Sequence, residues 1–170
     1  MFWMFVVLFG IIGAMRGWAR ELLVVFSLVL ALAFNLLLKK FAPVISTLPE
    51  DSQPLFWLRS IIVIVLVFFG YQTVNMPRFA SKAAREKLQD ILLGFVMGAI
   101  NGYLIVGTLW FYMHQAGYPF GDFISPPASG TVMGDAAINL IPRLAPHLLG
   151  EPAIWFAVIL AFIFVLVVFI

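Results

Sequence analysis

Five apolar runs separated by short polar stretches organise the chain: Phe2 to Met15, Leu22 to Leu38, Ile61 to Met76, Ile91 to Tyr112 and Ala153 to Ile170. A bilayer core of about 30 Å takes roughly 20 helical residues, so the fourth run is long enough and the first is short. Trp18 beside it and a snorkelling Arg16 extend the first run to the headgroups. The pattern predicts an all-α integral membrane protein, a bundle of about five transmembrane helices over 2–15, 22–38, 61–76, 91–112 and 153–170. A cleaved signal peptide is the rival for the first run, because Phe2 to Ala14 has the length of an apolar signal core. It lacks the basic flank and the A-x-A site of such a segment.

Between the first two runs stands "GIIGAMRGWARELLVVF", with Arg16, Arg20 and Glu21 amid apolar neighbours. One helix through residues 1–38 would hold these charges near mid-bilayer, at about 2.5–3.5 kcal/mol each on insertion scales. Two helices meeting at the surface avoid that cost. The reading is an interfacial hairpin turn over 16–21, with Gly17 supplying backbone freedom and the three charges reaching water and headgroups.

Lysine and arginine in short loops set the orientation. Arg16 and Arg20, with Arg78, Lys82, Arg85 and Lys87, fall on one side; Lys39, Lys40, Arg59 and Arg143 fall on the other. Loops 16–21 and 77–90 are therefore expected in the cytoplasm and the amino terminus outside, although Lys39 and Lys40 oppose this. Three regions follow: a four-helix membrane domain over 1–112, an extracytoplasmic Pro/Gly-rich loop with short interfacial helices over 113–152, and a fifth helix over 153–170. In the loop, "YPFGDFISPPASG" reads as irregular, and Pro142 and Pro146 divide "DAAINLIPRLAPHLL" into short pieces. The chain ends on "FVLVVFI" without a polar flank, which leaves room for residues past Ile170.

Composition sharpens the class. Of 170 residues, 64% are hydrophobic and 11% charged, and the mean hydropathy is +1.09; a chain this small cannot cover its surface with polar groups, so lipid is its solvent. With no cysteine, disulfides, thiol catalysis, iron–sulfur clusters and thiolate zinc sites are excluded. The net charge of +2 does not suggest nucleic acid. His114 and His147 lie outside the predicted span cores, so no cofactor is expected; an interfacial pigment on His114 is the rival to a histidine at headgroup level. Serine and aspartate are sparse and show no triad spacing, so no enzyme activity is expected.

In "DILLGFVMGAINGYLIVGT", Gly94, Gly98 and Gly102 recur every four residues and open a groove for a neighbouring backbone. Asp90, Asn101 and Thr108 project from the same face. That face should be buried, with Asn101 bonding between helices in preference to a transport role. Loop three, "RFASKAAREKLQD", sets Arg78, Lys82 and Arg85 on one helical face, either as lipid-headgroup contacts or as topology determinants.

At these motifs the chain resembles the colicin V production (CvpA-like) family of small bacterial inner-membrane proteins. "GAMRGWARELL" carries the family's turn in Gly13, Arg16, Gly17, Arg20 and Glu21, and the second segment carries Asp90, Leu93, Gly94, Gly98 and Gly102. The resemblance covers roughly residues 5–112. An acidic residue early in the first span is missing, Ile91 replaces an arginine, and Asn101 stands where arginine is common. Family members usually have four spans, so the long loop and fifth helix are additions. The resemblance implies a part in colicin V export or production and in envelope homeostasis, without an established enzymatic activity.

The first expectation is a non-enzymatic envelope protein at the bacterial inner membrane. The alternative is a small accessory or scaffold subunit on a larger respiratory, photosynthetic or transport complex. A channel or transporter comes third, because the deep polar residues Asn35 and Asn101 do not titrate. Expected partners are membrane lipids and other membrane subunits or a second copy. With both basic turns on one side, Asp90 is expected to pair with Arg16 or Arg20 and Glu21 with Arg85 or Lys87, with Asn35 and Asn101 meeting deeper down.

Overall fold

The computed structural model describes residues 1–72, 87–121 and 123–169, with the backbone alone at 168 and 169. The predicted loop cations Arg78, Lys82 and Arg85 lie outside the described residues. Among the described residues the protein is all α: α1 (Phe2–Arg16), α2 (Trp18–Phe41), α3 (Pro43–Ser46), α4 (Gln53–Tyr71), α5 (Lys87–Gln115), α6 (Val132–Leu140), α7 (Ala145–Leu148) and α8 (Ala153–Phe169). A single 3₁₀ turn, Ile141–Arg143, joins α6 to α7.

Helix limits follow local chemistry. The turn expected over 16–21 contracts to Gly17, whose φ of 87° and ψ of 152° suit glycine alone. Arg20 and Glu21 therefore belong to α2, with Glu21 in its first turn and Lys39 and Lys40 in its last, both placed to complement the helix dipole. The third span shifts from 61–76 to Gln53–Tyr71: Pro54 opens it, and Arg59, once inside the helix, reaches back to Glu50. α5 extends the fourth span to 29 residues, about 44 Å, longer than a bilayer core. Thr131 caps α6 by accepting from Gly134 N at 3.0 Å.

α2, α4 and α5 are each long and apolar enough to cross a membrane. α1, with 15 residues, and α8, with 17, measure about 22 and 26 Å. The stretch from α6 through α7 joins α8 at a 56° bend, and by length and composition that pair is either one broken span or a re-entrant loop.

α1 runs antiparallel to α5 in the most extensive helix pairing among the described residues. Gly13 packs on Gly94 and Gly98, and Phe9 and Val6 pack on Gly102. α2 runs parallel to α5 and antiparallel to α4, where Gly70 lets Ser27 and the Val24 backbone approach. α8 lies against α2 through Phe26 and Phe164, with ring centroids 5.3 Å apart. Val24, Leu28, Ala31, Leu32, Val63 and Ile105 form the buried core between them. Phe156, Leu160, Phe162 and Ile163 on α8, like Trp3, Met4 and Leu8 on α1, present apolar surface outward, as expected where lipid is the solvent.

Candidate functional site

The polar residues of the two glycine-bearing segments converge inside the bundle. Glu21 is wholly buried, at 0% exposure. Its Oε1 accepts from Arg16 Nη1 at 2.7 Å. Oε2 accepts from Asn101 Nδ2 at 2.8 Å and from the Tyr71 hydroxyl at 3.5 Å. Asn101 Nδ2 also donates to the Glu21 carbonyl at 2.9 Å, so one amide ties both the side chain and the backbone of α2 to α5.

Arg16 is held from several sides. Its Nη2 donates to the Tyr71 carbonyl at 3.1 Å, and its guanidinium carbon stands 4.3 Å from the Tyr71 ring centroid, within cation–π range. The arginine thus ends α1, neutralises the first turn of α2 and closes the last turn of α4. A buried charge is tolerated only when it is paired and hydrogen-bonded, and four helices cooperate to meet that condition.

The backbone break that makes this geometry is itself buried. A side chain at Gly17 would meet Asp90, with Cβ 2.8 Å from Oδ2 and 3.0 Å from Oδ1. The same carboxylate accepts from Trp18 N at 3.3 Å. Gly17 has no side chain to cap α2, and Asp90 supplies a cap from another helix while standing in the first turn of its own.

The expected ion pairs are therefore corrected. Asp90 does not take Arg16 or Arg20; it accepts from the Trp18 backbone, and Arg20 lies exposed. Glu21 pairs with Arg16 of its own hairpin, because the one-residue turn brings the two side chains back to back while burial of Glu21 demands a cation at once. Of the two partners expected for it, Lys87 is exposed and Arg85 lies outside the described residues. The charges of the turn also do not all face water: Arg16 retains 17% side-chain exposure and Glu21 none.

Asn35 and Asn101 serve separate clusters. At the opposite end of the α2–α5 seam, Asn35 Nδ2 donates to the Arg59 carbonyl at 3.3 Å and to the Tyr112 hydroxyl oxygen at 3.4 Å. Arg59 Nη1 donates to Glu50 Oε2 at 2.8 Å and to Gln115 Oε1 at 3.2 Å. Lys39 Nζ lies 3.4 Å from Glu50 Oε1 and donates to the Leu48 carbonyl. Burial raises the Glu50 carboxyl, and Arg59 with Lys39 outweighs it, holding the group below its ordinary value of 4.5.

Tyr71, Arg59 and Tyr112 were absent from the sequence-based set of motif residues. Their signal was position: Tyr71 and Tyr112 lie in the last turn of their helices, and Arg59 stands just before the apolar run that starts at Ile61. Among the described residues no group of three or more His, Asp or Glu could hold a metal.

The family model described as Colicin V production protein matches residues 1–125, a stretch that takes in α1 to α5 and every member of the Glu21 network. No curated protein and no solved structure matches the chain.

Proposed function

We propose that this chain, which belongs to the colicin V production protein family, is a non-enzymatic protein of the bacterial inner membrane with an envelope- or export-related role. The observation that carries the reading is the match over residues 1–125, which coincides with the helices that enclose Glu21. The ion pair at the centre of those helices has hydrogen-bonding partners on α1, α4 and α5, so its chemistry is that of a fixed joint between helices. Its working surface is the membrane-facing exterior, open to lipid, to a second copy or to other membrane subunits. The amino terminus lies outside and the Gly17 turn faces the cytoplasm, following the lysine and arginine distribution.

Complementation tests the role. Expressed in a bacterium deleted for its own family member, the chain should restore colicin V production or envelope integrity, and Glu21→Gln should restore less at equal abundance. Failure of the parent chain in both assays would remove the envelope reading. Orientation is tested by labelling single cysteines on intact cells with an impermeant thiol reagent. Phe123→Cys should label and Lys87→Cys should label only after permeabilisation; the reverse pattern inverts the topology.

A second reading has its own observation. α8 leaves Phe156, Ile159, Leu160, Phe162 and Ile163 exposed, a face suited to packing on a larger membrane complex. Gentle extraction followed by native sizing separates the two: co-migration with a large assembly supports an accessory subunit, and a free monomer or homo-oligomer opposes it.

A further inference from the structure

Charge holds the connection between α2 and α4 in place. None of residues 42–52 is buried, α3 included. The side-chain hydrogen bonds made from within the connection are local: Ser46 donates to the Pro43 carbonyl, Thr47 to that of Val44 and Ser52 to that of Pro49. A segment with so few buried contacts belongs to the low-stability end of a fold. Two side-chain ties cross from it to the helices. Lys39 Nζ, in the last turn of α2, donates to the Leu48 carbonyl, and the Glu50 carboxylate bridges Lys39 at 3.4 Å and Arg59 at 2.8 Å.

Under this bridge, α2, α4, α5 and the chain around α7 enclose a cavity of about 370 Å³, lined by Lys39, Glu50 and Arg59 together with Leu36, Phe111 and Leu149. Side-chain exposure falls from 54% at Glu50 through 22% at Lys39 to 11% at Arg59. The carboxylate therefore stands at the cavity rim, with the cations deeper. The groups that face Glu50 are Lys39 from α2, Arg59 from α4 and, through Arg59, Gln115 from α5, with His147 of α7 on the cavity wall. Lys40 is engaged with Glu151 at 3.6 Å, and Asp51, next in the chain, is exposed. Burial raises the Glu50 carboxyl, but Arg59 and Lys39 prevail, so Glu50 stays ionised at neutral pH and takes a proton only as pH falls through a value below 4.5.

We propose that Glu50 is an acid-released latch on this cavity. Ionised, its side chain spans α2 and α4 and holds the connection across the rim. Once it takes a proton from water, Lys39 and Arg59 lose their shared anion and repel each other. A segment with no buried residue then keeps only the bond from Lys39 to the Leu48 carbonyl. The connection lifts, and the cavity opens to water with both cations in it. The bundle itself stays folded, because its core around Val24, Leu28, Leu32 and Ile105 includes nothing from residues 42–52. The latch depends neither on the orientation nor on an envelope role.

Hydrogen–deuterium exchange of the purified full chain in detergent tests this, read as protection factors corrected for the intrinsic pH dependence of exchange. In the parent, peptides covering 42–52 should lose about tenfold in protection between about pH 7 and about pH 3, the size expected for one net hydrogen bond to a charged group. α2 and α5 should keep theirs. Glu50 is exposed enough for Glu50→Gln to fold, and that variant should show the loosened connection already at neutral pH, with no further acid step. Asp51→Asn should keep the parent's step. Opening is read separately on Leu36→Cys, the single thiol of a chain that has no cysteine. At neutral pH it should react with a water-soluble thiol reagent about tenfold faster when combined with Glu50→Gln than alone, the same factor as the loosening. Protection of 42–52 that ignores pH in the parent would overturn the latch, as would an acid step that survives Glu50→Gln or vanishes in Asp51→Asn. Loosening of α2 and α5 together with the connection, or equal thiol reactivity in the two backgrounds, would overturn it as well.

Discussion

Replacing Gly98 by alanine tests the α1–α5 contact on which the whole arrangement rests. The added Cβ would overlap the Phe9 carbonyl oxygen and lie 2.8 Å from Gly13 Cα and 3.0 Å from Gly13 N. Non-bonded carbons separate at about 3.5–4.0 Å, so α1 must retreat by roughly 1 Å. All three obstacles are backbone, and no rotamer change relieves them. Overpacking of this kind costs about 1–3 kcal/mol. For a chain of this size each kcal/mol moves the midpoint by about 2–4 °C, so a loss of several degrees is expected in thermal unfolding of the detergent-solubilised protein. Gly107→Ala is the matched control, because its Cβ meets the tip of Leu144 at 3.0 Å and Phe2 Cε2 at 3.8 Å, both flexible side chains. Both substitutions share the intrinsic helix gain of alanine over glycine, about 0.8–1.0 kcal/mol, which leaves the difference between them as the close-approach term. Equal midpoints for the two variants, or a Gly98→Ala midpoint at or above the parent, would refute the packing argument.

Other consequences follow from the same geometry. Glu21→Gln leaves Arg16 part-buried without its anion and should cost about 3–5 kcal/mol; in a double-mutant cycle with Arg16→Gln, unfolding should show strong non-additivity, and additive losses would mean the pair is not coupled. Gly17→Ala places a side chain in a glycine-only backbone region and against Asp90, so about 1–3 kcal/mol should be lost, measurable by the same unfolding assay, with little change if the turn has another shape. Glu50 has a folded-state pKa below 4.5, so its contribution is present above that value and is lost as pH falls through the folded pKa. A pH titration of stability should show this acid loss in the parent and a smaller one in Arg59→Gln; identical profiles would contradict the assignment.

The helices and their packing face were legible in the sequence because period and residue size encode them directly. The spacing of Gly94, Gly98 and Gly102 indicates a groove, and α1 lies in it. Limits were harder: α4 begins well before Ile61, because Pro54 and Arg59 look like loop residues until Glu50 is seen to receive the arginine. The pairing of Glu21 with Arg16 was hidden for a related reason. Charges beside a glycine in an apolar chain fit an interfacial turn equally well as a buried joint, and only the three-dimensional approach of Asn101 and Tyr71 decides between them. Asn35 stood out as a deep polar residue. That it belongs with Arg59 and Tyr112 depends on the tilt of α2 against α5, which no local pattern records.

The charged hairpin motif folds inward, with Glu21 bonded to Arg16 and Asn101. Carbon–nitrogen dipolar recoupling by solid-state NMR, on membrane-embedded protein carrying ¹³C at the Glu21 carboxyl and ¹⁵N in arginine and asparagine side chains, measures it. Strong dephasing from both nitrogen types is expected, as N···O separations of 2.7 and 2.8 Å require, with its loss from the asparagine channel in Asn101→Leu. A Glu21 carboxyl whose couplings are to water and lipid protons alone, with no dephasing from either nitrogen, would contradict it.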